Sequence, residues 1–97
     1  MKTLCIVPVY NEESRLQDLI DKIKLVKQQI SIEFLIINNG STDNSINIIK
    51  KSNINFHTFS KNHGVGYSLI FGLKLAIKKK IDILVHLAGN GKMSPFE

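Results

Sequence analysis

Four short apolar runs, residues 4–9, 32–37, 54–59 and 81–87, alternate with three segments whose apolar residues recur at helical spacing. Few folds accommodate that alternation. An apolar run of this length bounded by turn residues fits a strand buried on both faces. Strands of that kind, separated by helices, build right-handed βαβ units around a parallel sheet. Between the first two runs, Leu16, Leu19, Ile20, Ile23, Val26 and Ile30 share one helical face, which predicts a helix over residues 12–29. Asn11 stands at its start as a cap, and Glu12 and Glu13 suit the positive end of the helix dipole. A short helix starting at Thr42 or Asp43 carries Ile46, Ile48 and Ile49. A third, entered through residues 62–66, has Leu69, Ile70, Leu73, Ala76 and Ile77 as its predicted apolar face and closes on Lys78, Lys79 and Lys80. Pro95 suits the first turn of one more helix at residues 94–97. The expected fold is α/β, a parallel sheet of about four strands with helices on both faces.

The bulk properties narrow the class further. The 97 residues make one small domain, 1–97, read here as the first half of a larger enzyme. No apolar run approaches the roughly 18 residues of a spanning helix, and the first run leads into Pro8 and charged residues instead of a cleavage site. A single cysteine, Cys5, rules out an internal disulfide, so a cytoplasmic location is expected. The net charge of +5 comes from lysine, Arg15 being the one arginine, which disfavours nucleic acid as a partner. A basic surface also suits a phosphorylated substrate or an anionic membrane face, but a solvated lysine-rich surface is the better explanation and the charge alone assigns no function.

Two polar motifs stand at strand ends: Pro8-Val9-Tyr10-Asn11-Glu12-Glu13 and Asn38-Asn39-Gly40-Ser41-Thr42-Asp43. In an open parallel sheet such ends share one edge, where ligands bind, so the two motifs are expected to be neighbours. The first turn lacks the G-x-G-x-x-G of a dinucleotide fold, and no Walker loop is present. Gly64-Val65-Gly66 by itself suits close packing better than a phosphate cradle. His57, His63 and His86 have no metal-ligand spacing and are each expected to be a satisfied or surface histidine, with His63 the one that could face the pocket.

Read together, PVYNEE, NNGSTD, NHGVG and AGNGKMSP follow one another along essentially the whole chain. In this order and spacing the sequence resembles the N-terminal half of family 2 glycosyltransferases of the GT-A fold. The segment NHGVGYSLIFGLKLA is similar to the branch that includes polyprenyl-phosphate sugar transferases. The resemblance implies a Rossmann-like half-domain, truncated before the acceptor-binding part. Its partner would be a nucleoside diphosphate sugar of UDP, GDP or dTDP type, used to make cell-envelope polysaccharide or glycolipid. The acceptor is open, with a lipid-linked one among the choices, as are peripheral association with the inner membrane surface and a homo-oligomer. The implied nucleotide site comprises Pro8, Val9, Tyr10, Glu12, Asn39, Gly64, Ala88 and Asn90. Tyr10 would pack on the base, its alternative being a partly buried core tyrosine. Asn39 replaces the usual base-binding Asp, keeping a donor and an acceptor but losing the charge. Asp43 matches the last acid of its motif, and helix capping explains it as well.

The main departure is at Ala88 and Asn90, which replace the two carboxylates that hold Mg²⁺ or Mn²⁺ in the family. Alanine cannot ligate, and a lone Asn carbonyl is a poor site for either ion, so no metal residue is assigned. Lys92 is the local cation that could meet the diphosphate, unless it is a plain loop lysine. The catalytic base of inverting members would lie beyond residue 97, so the 97 residues are expected to bind nucleotide weakly and transfer little sugar. The rival reading is a non-catalytic nucleotide-binding or interaction module that kept the fold.

Overall fold

A computed structural model describes residues 1–87 as seven elements in strict alternation: β1 (Thr3–Val9), α1 (Glu13–Gln29), β2 (Glu33–Asn39), α2 (Ser45–Lys51), β3 (Phe56–Phe59), α3 (Val65–Lys78) and β4 (Ile83–His86). The four strands form one sheet in the order β3-β2-β1-β4, and every pairing is parallel. The α/β expectation is borne out, with helices on both faces. The proposed helix at residues 94–97 lies outside the described residues.

The chirality of the crossovers dictates the layers. The steps β1 to β2 and β2 to β3 run in one direction, so right-handed connections place α1 and α2 on the same face. The step from β3 to β4 runs back past β2 and β1, which puts α3 on the other face. Each strand therefore alternates between two cores. Cys5, Val7, Val9, Phe34 and Ile36 pack with Leu16, Leu19, Ile20 and Ile23 of α1 and Ile49 of α2. Leu4, Ile6, Leu35 and Ile37 pack with Ala76 of α3. Both faces of β1 and β2 are buried, which is why their sequences read as unbroken apolar runs.

Helix α1 is held mainly by that buried face. Full burial of each of its four aliphatic side chains stabilises the fold by about 2 kcal/mol, an upper figure because unfolded chains already bury some surface. It ends where Ile30 turns extended. Helix α3 ends in a tighter device. The Ile81 N–H donates to Ala76 O at 2.8 Å and the Lys80 N–H to Ile77 O at 3.2 Å, while Lys80 takes φ 57°. This is a Schellman cap with lysine where glycine is usual.

The face of α3 departs from the sequence expectation. Its sheet side is Ser68, Gly72 and Ala76, with Phe71 and Leu75 half-buried, whereas Leu69, Ile70, Leu73 and Ile77 are exposed. The helix crosses directly over β1, and a Cβ on Gly72 would stand 2.6 Å from Ile6 Cγ1. Only small residues at i, i+4 and i+8 let it approach that closely. Strand β3 is also shorter than expected: Ile54 is buried before the strand begins, and the Asn55 carbonyl accepts from Ile36 N–H at 2.9 Å.

Candidate functional site

In an open α/β sheet the binding crevice lies beyond the carboxyl ends of the strands, where successive connections leave in opposite directions. Here that point falls between β1 and β4, because β1 leads away to β2 while β4 lies on its other side. Residues 10–13, 40–44 and 60–64 all emerge at this edge.

The first two loops are joined by side chains. Asn11 adopts φ 50°, a left-handed conformation that asparagine tolerates better than most residues. Its Oδ1 accepts from Thr42 N–H at 2.7 Å and from Asp43 N–H at 3.3 Å, and its Nδ2 donates to Thr42 Oγ1 at 3.2 Å. The Asn11 N–H donates to Ser41 Oγ at 3.1 Å, and Glu12 N–H to the buried Ser45 hydroxyl at 3.2 Å. Asn11 was expected to cap α1. Instead Glu12 stands at the cap position and makes no side-chain cap bond.

Asp43 supplies the missing cap from the other loop. Its Oδ2 accepts from Glu13 N–H at 3.3 Å, at the first residue of α1, and its Oδ1 accepts from Ser45 N–H at 2.9 Å, at the first residue of α2. One carboxylate thus serves the starts of two helices. Burial pushes its pKa up, but the hydrogen bonds from Ser45, Glu13 and its own N–H outweigh this and hold it below its ordinary value.

Asn39 ties in the third loop. It is 3% exposed, its Nδ2 donates to Gly64 O at 3.1 Å, and its Oδ1 accepts from His63 N–H at 3.1 Å. Each end of the amide already has one partner, so a base would meet only its remaining hydrogen and lone pair. Asn38 accepts from Ser41 N–H at 3.2 Å within its own turn. Gly40 takes φ 75°, and any Cβ there would strike the backbone of Lys61 and Asn62. The three loops interlock around these residues.

Tyr10 stands open at this edge, 43% exposed. Pro8 and Val9 are buried, and the Val9 side chain packs in the α1 core, so it offers a pocket only its backbone. Glu12 is half-buried, while Gly64 is exposed with φ 85°. Ala88, Asn90 and Lys92 lie outside the described residues. Among the described residues no group of three His, Cys, Asp or Glu side chains could hold a metal ion. Alanine has no donor atom and asparagine no carboxylate, so the residue types at positions 88 and 90 do not match the divalent cation that the family resemblance implies.

Beside this edge runs an aromatic cluster that the sequence reading missed. His63 stacks on Tyr67 with centroids 4.4 Å apart, Tyr67 meets Phe59 edge-on at 5.0 Å, and His57 stacks on Phe71 at 4.6 Å. Its members come from β3, α3 and the loop between them, so a two-residue or helical period applied to either element alone does not reveal it. The hydroxyl ties of Ser41, Thr42 and Ser45 also went unseen, although the run of Ser, Thr, Asn and Asp over residues 38–45 signals side-chain bonding to nearby backbone. His86, near the end of β4, has a pKa lowered by burial, and its Nε2 has no partner among the described residues. A depression of about 290 Å³ between Lys2, Lys27, Ile30 and Glu33 lies at the opposite, amino edge of the sheet, away from all these groups.

Comparison with known proteins bears on the family and the fold. The family model described as Glycosyl transferase family 2 matches residues 4–84. Among solved structures, S. aureus TarS 1–349 superposes with a TM-score of 0.67 at 24% identity, covering 93% of this chain and 28% of that one. S. aureus TarS 1–349 in complex with UDP gives a TM-score of 0.68 with the same identity and coverage. A longer S. aureus TarS chain gives 0.67, of which this chain spans 17%. At this identity the likeness concerns the fold, which is that of a GT-A half-domain. No curated protein matches the chain by sequence.

Proposed function

Because the chain belongs to glycosyl transferase family 2, we propose that its carboxyl edge binds the nucleotide of a nucleoside diphosphate sugar and that it serves an enzyme transferring the sugar to an acceptor. The observation that carries this reading is the joining of residues 11–13, 39–45 and 63–64 into one frame at the carboxyl edge of the sheet, with Tyr10 open at the end of β1, the strand that borders the switch point. A similarly folded protein, S. aureus TarS 1–349, has been solved with UDP, which favours a nucleoside diphosphate as the ligand.

Tyr10 supplies a flat apolar face for the base. The hydrogen bonds of Asn11 and Asp43 fix the backbone that follows Tyr10, so the base docks beside a loop ordered before it arrives. Loss of the nucleoside diphosphate leaves charge to be neutralised, and Lys92 is the cation of this chain assigned to it. No step is routed through a metal ion, since Ala88 and Asn90 are not fit to hold one. The acceptor, the hexosyl character of the donor, the polyprenyl-phosphate-like branch and a cell-envelope role rest on sequence resemblance alone. A cytoplasmic setting belongs to the same reading.

A second reading is favoured by one specific feature, the replacement of both metal-binding carboxylates by Ala88 and Asn90. It makes the chain a nucleotide-binding module without transfer activity. Calorimetry with UDP, GDP and dTDP tests both. One of them binds, with an affinity indifferent to Mn²⁺, and Tyr10→Ala weakens it about tenfold, the loss of one aromatic contact. No binding of any of the three would end both readings. Strong metal dependence would overturn the treatment of Ala88 and Asn90, and sugar transfer by the full-length protein separates enzyme from module.

A further inference from the structure

We propose that the outer stripe of α3 docks this protein on an anionic lipid surface. The inference names a surface for the membrane association that the basic composition allows, and it does not depend on nucleotide binding. Helix α3 is apolar nearly all round, yet only one of its sides meets the sheet. Its opposite side presents Ile70, Leu73 and Ile77 at spacings of three and four, exposed by 53%, 45% and 79%. Tyr67 and Leu69 extend this patch toward the carboxyl edge. A helix apolar all round is ordinarily covered, and a contiguous exposed patch of this kind marks an interaction site.

Charge decides the occupant. Lys74 and Lys78 flank the stripe on the helix, and Lys79 and Lys80 follow at its end, all exposed. Lys79 is engaged with Glu33 at 3.1 Å, while Lys74, Lys78 and Lys80 have no ion pair among the described residues. Residues 62–81 contain no Asp or Glu. A second copy docked α3 to α3 through a two-fold axis would offer these lysines no carboxylate from the facing helix, so their charge would go uncompensated. An anionic bilayer meets both needs at once: acyl chains cover the aliphatic stripe while lysine ammonium groups reach out to the lipid phosphates. Each lysine near such a surface contributes about 1 kcal/mol, roughly a fivefold gain in partitioning.

The test is co-sedimentation of the full chain with phosphatidylcholine vesicles, with and without phosphatidylglycerol. The chain is expected to sediment with the anionic vesicles, less so as salt is raised, and to stay in solution with the neutral ones. Lys74→Glu with Lys78→Glu, and separately Ile70→Ser with Ile77→Ser, should each lower partitioning by about tenfold or more while circular dichroism stays unchanged. Absence of binding to the anionic vesicles, equal binding to both kinds, or indifference to both double variants overturns the proposal. So does a dimer in buffer that Ile77→Ser dissolves, or strong hydrogen-exchange protection of Ile77 side-chain neighbours that Ile77→Ser removes without lipid. Those results would assign the stripe to a second copy or to other parts of the protein.

Discussion

Replacing Asn11 with alanine tests whether the loop frame is held by one side chain. Asn11 Oδ1 accepts from Thr42 N–H at 2.7 Å and from Asp43 N–H at 3.3 Å, and Nδ2 donates to Thr42 Oγ1 at 3.2 Å. These bonds are exposed, so water replaces them on truncation, and their joint loss costs about 1 kcal/mol. The backbone adds a second cost, since φ at residue 11 is 50°. Alanine is disfavoured there by about 1 kcal/mol relative to asparagine. The sum is about 2 kcal/mol, a large share of the total stability of a domain this size. Glycine in the same place loses the bonds but not the backbone fit, and should cost about 1 kcal/mol. Aspartate keeps the acceptor and tolerates the conformation, so it should cost least. Urea denaturation is the assay, read as shifts in midpoint at constant slope. The expected order of stability is wild type, Asn11→Asp, Asn11→Gly, Asn11→Ala. The reasoning fails if Asn11→Ala lies within about 0.5 kcal/mol of wild type. It also fails if glycine is as damaging as alanine, because the backbone cost would then be absent.

Other expectations concern single groups. Burial pushes the Cys5 thiol up to about 12, so the native chain should resist a thiol reagent at pH 8 and react at once when unfolded; rapid native labelling would contradict its burial. Burial lowers the pKa of His86 below its ordinary 6.5. Between pH 7 and 5 the unfolded chain gains a proton there that the folded chain resists, so stability falls as pH is lowered. His86→Leu should flatten that slope in urea titrations, and an unchanged slope would remove His86 as its source. Gly40→Ala meets both a positive φ and the Lys61–Asn62 backbone. It should destabilise by about 3 kcal/mol or prevent folding, measured by urea midpoint or circular dichroism. Lys80→Gly relieves the left-handed cap position of α3 and should stabilise by about 0.5 kcal/mol, with a lower urea midpoint counting against the Schellman assignment.

The architecture was legible because β1, β2 and α1 obey simple periods: both faces of each strand are buried, and α1 has one buried side. The face of α3 was not. In Gly66-Tyr-Ser-Leu-Ile-Phe-Gly-Leu-Lys-Leu-Ala-Ile77 the apolar spacing suggests an inward stripe at Leu69, Ile70, Leu73, Ala76 and Ile77. Of these the sheet keeps Ala76 and otherwise selects Ser68 and Gly72, because Ile6 already fills the space between the layers. Periodicity ranks apolar residues, whereas contact across layers depends on volume. The two polar motifs at the strand ends were correctly expected to be neighbours, since parallel topology forces it. Which atoms join them was not foreseeable, because Asn11 and Thr42 lie 31 residues apart in sequence. A cap inferred from local spacing turned out to be a bond to the other loop.

The strand order has a consequence for how the chain is made. Of the four described strands β1 is synthesised before the others and lies in the interior of the sheet, gaining β2 as a neighbour once residue 39 has been added. Its other edge stays unpaired until Ile83–His86 emerge, some eighty residues after Thr3. During that interval a nascent chain carries one of its most apolar strands with an open row of backbone donors and acceptors. Such an edge is a template for pairing with a neighbouring chain. Slow passage through residues 40–82 should therefore favour misassembly on crowded polysomes, and a chaperone acting early would have β1 to protect.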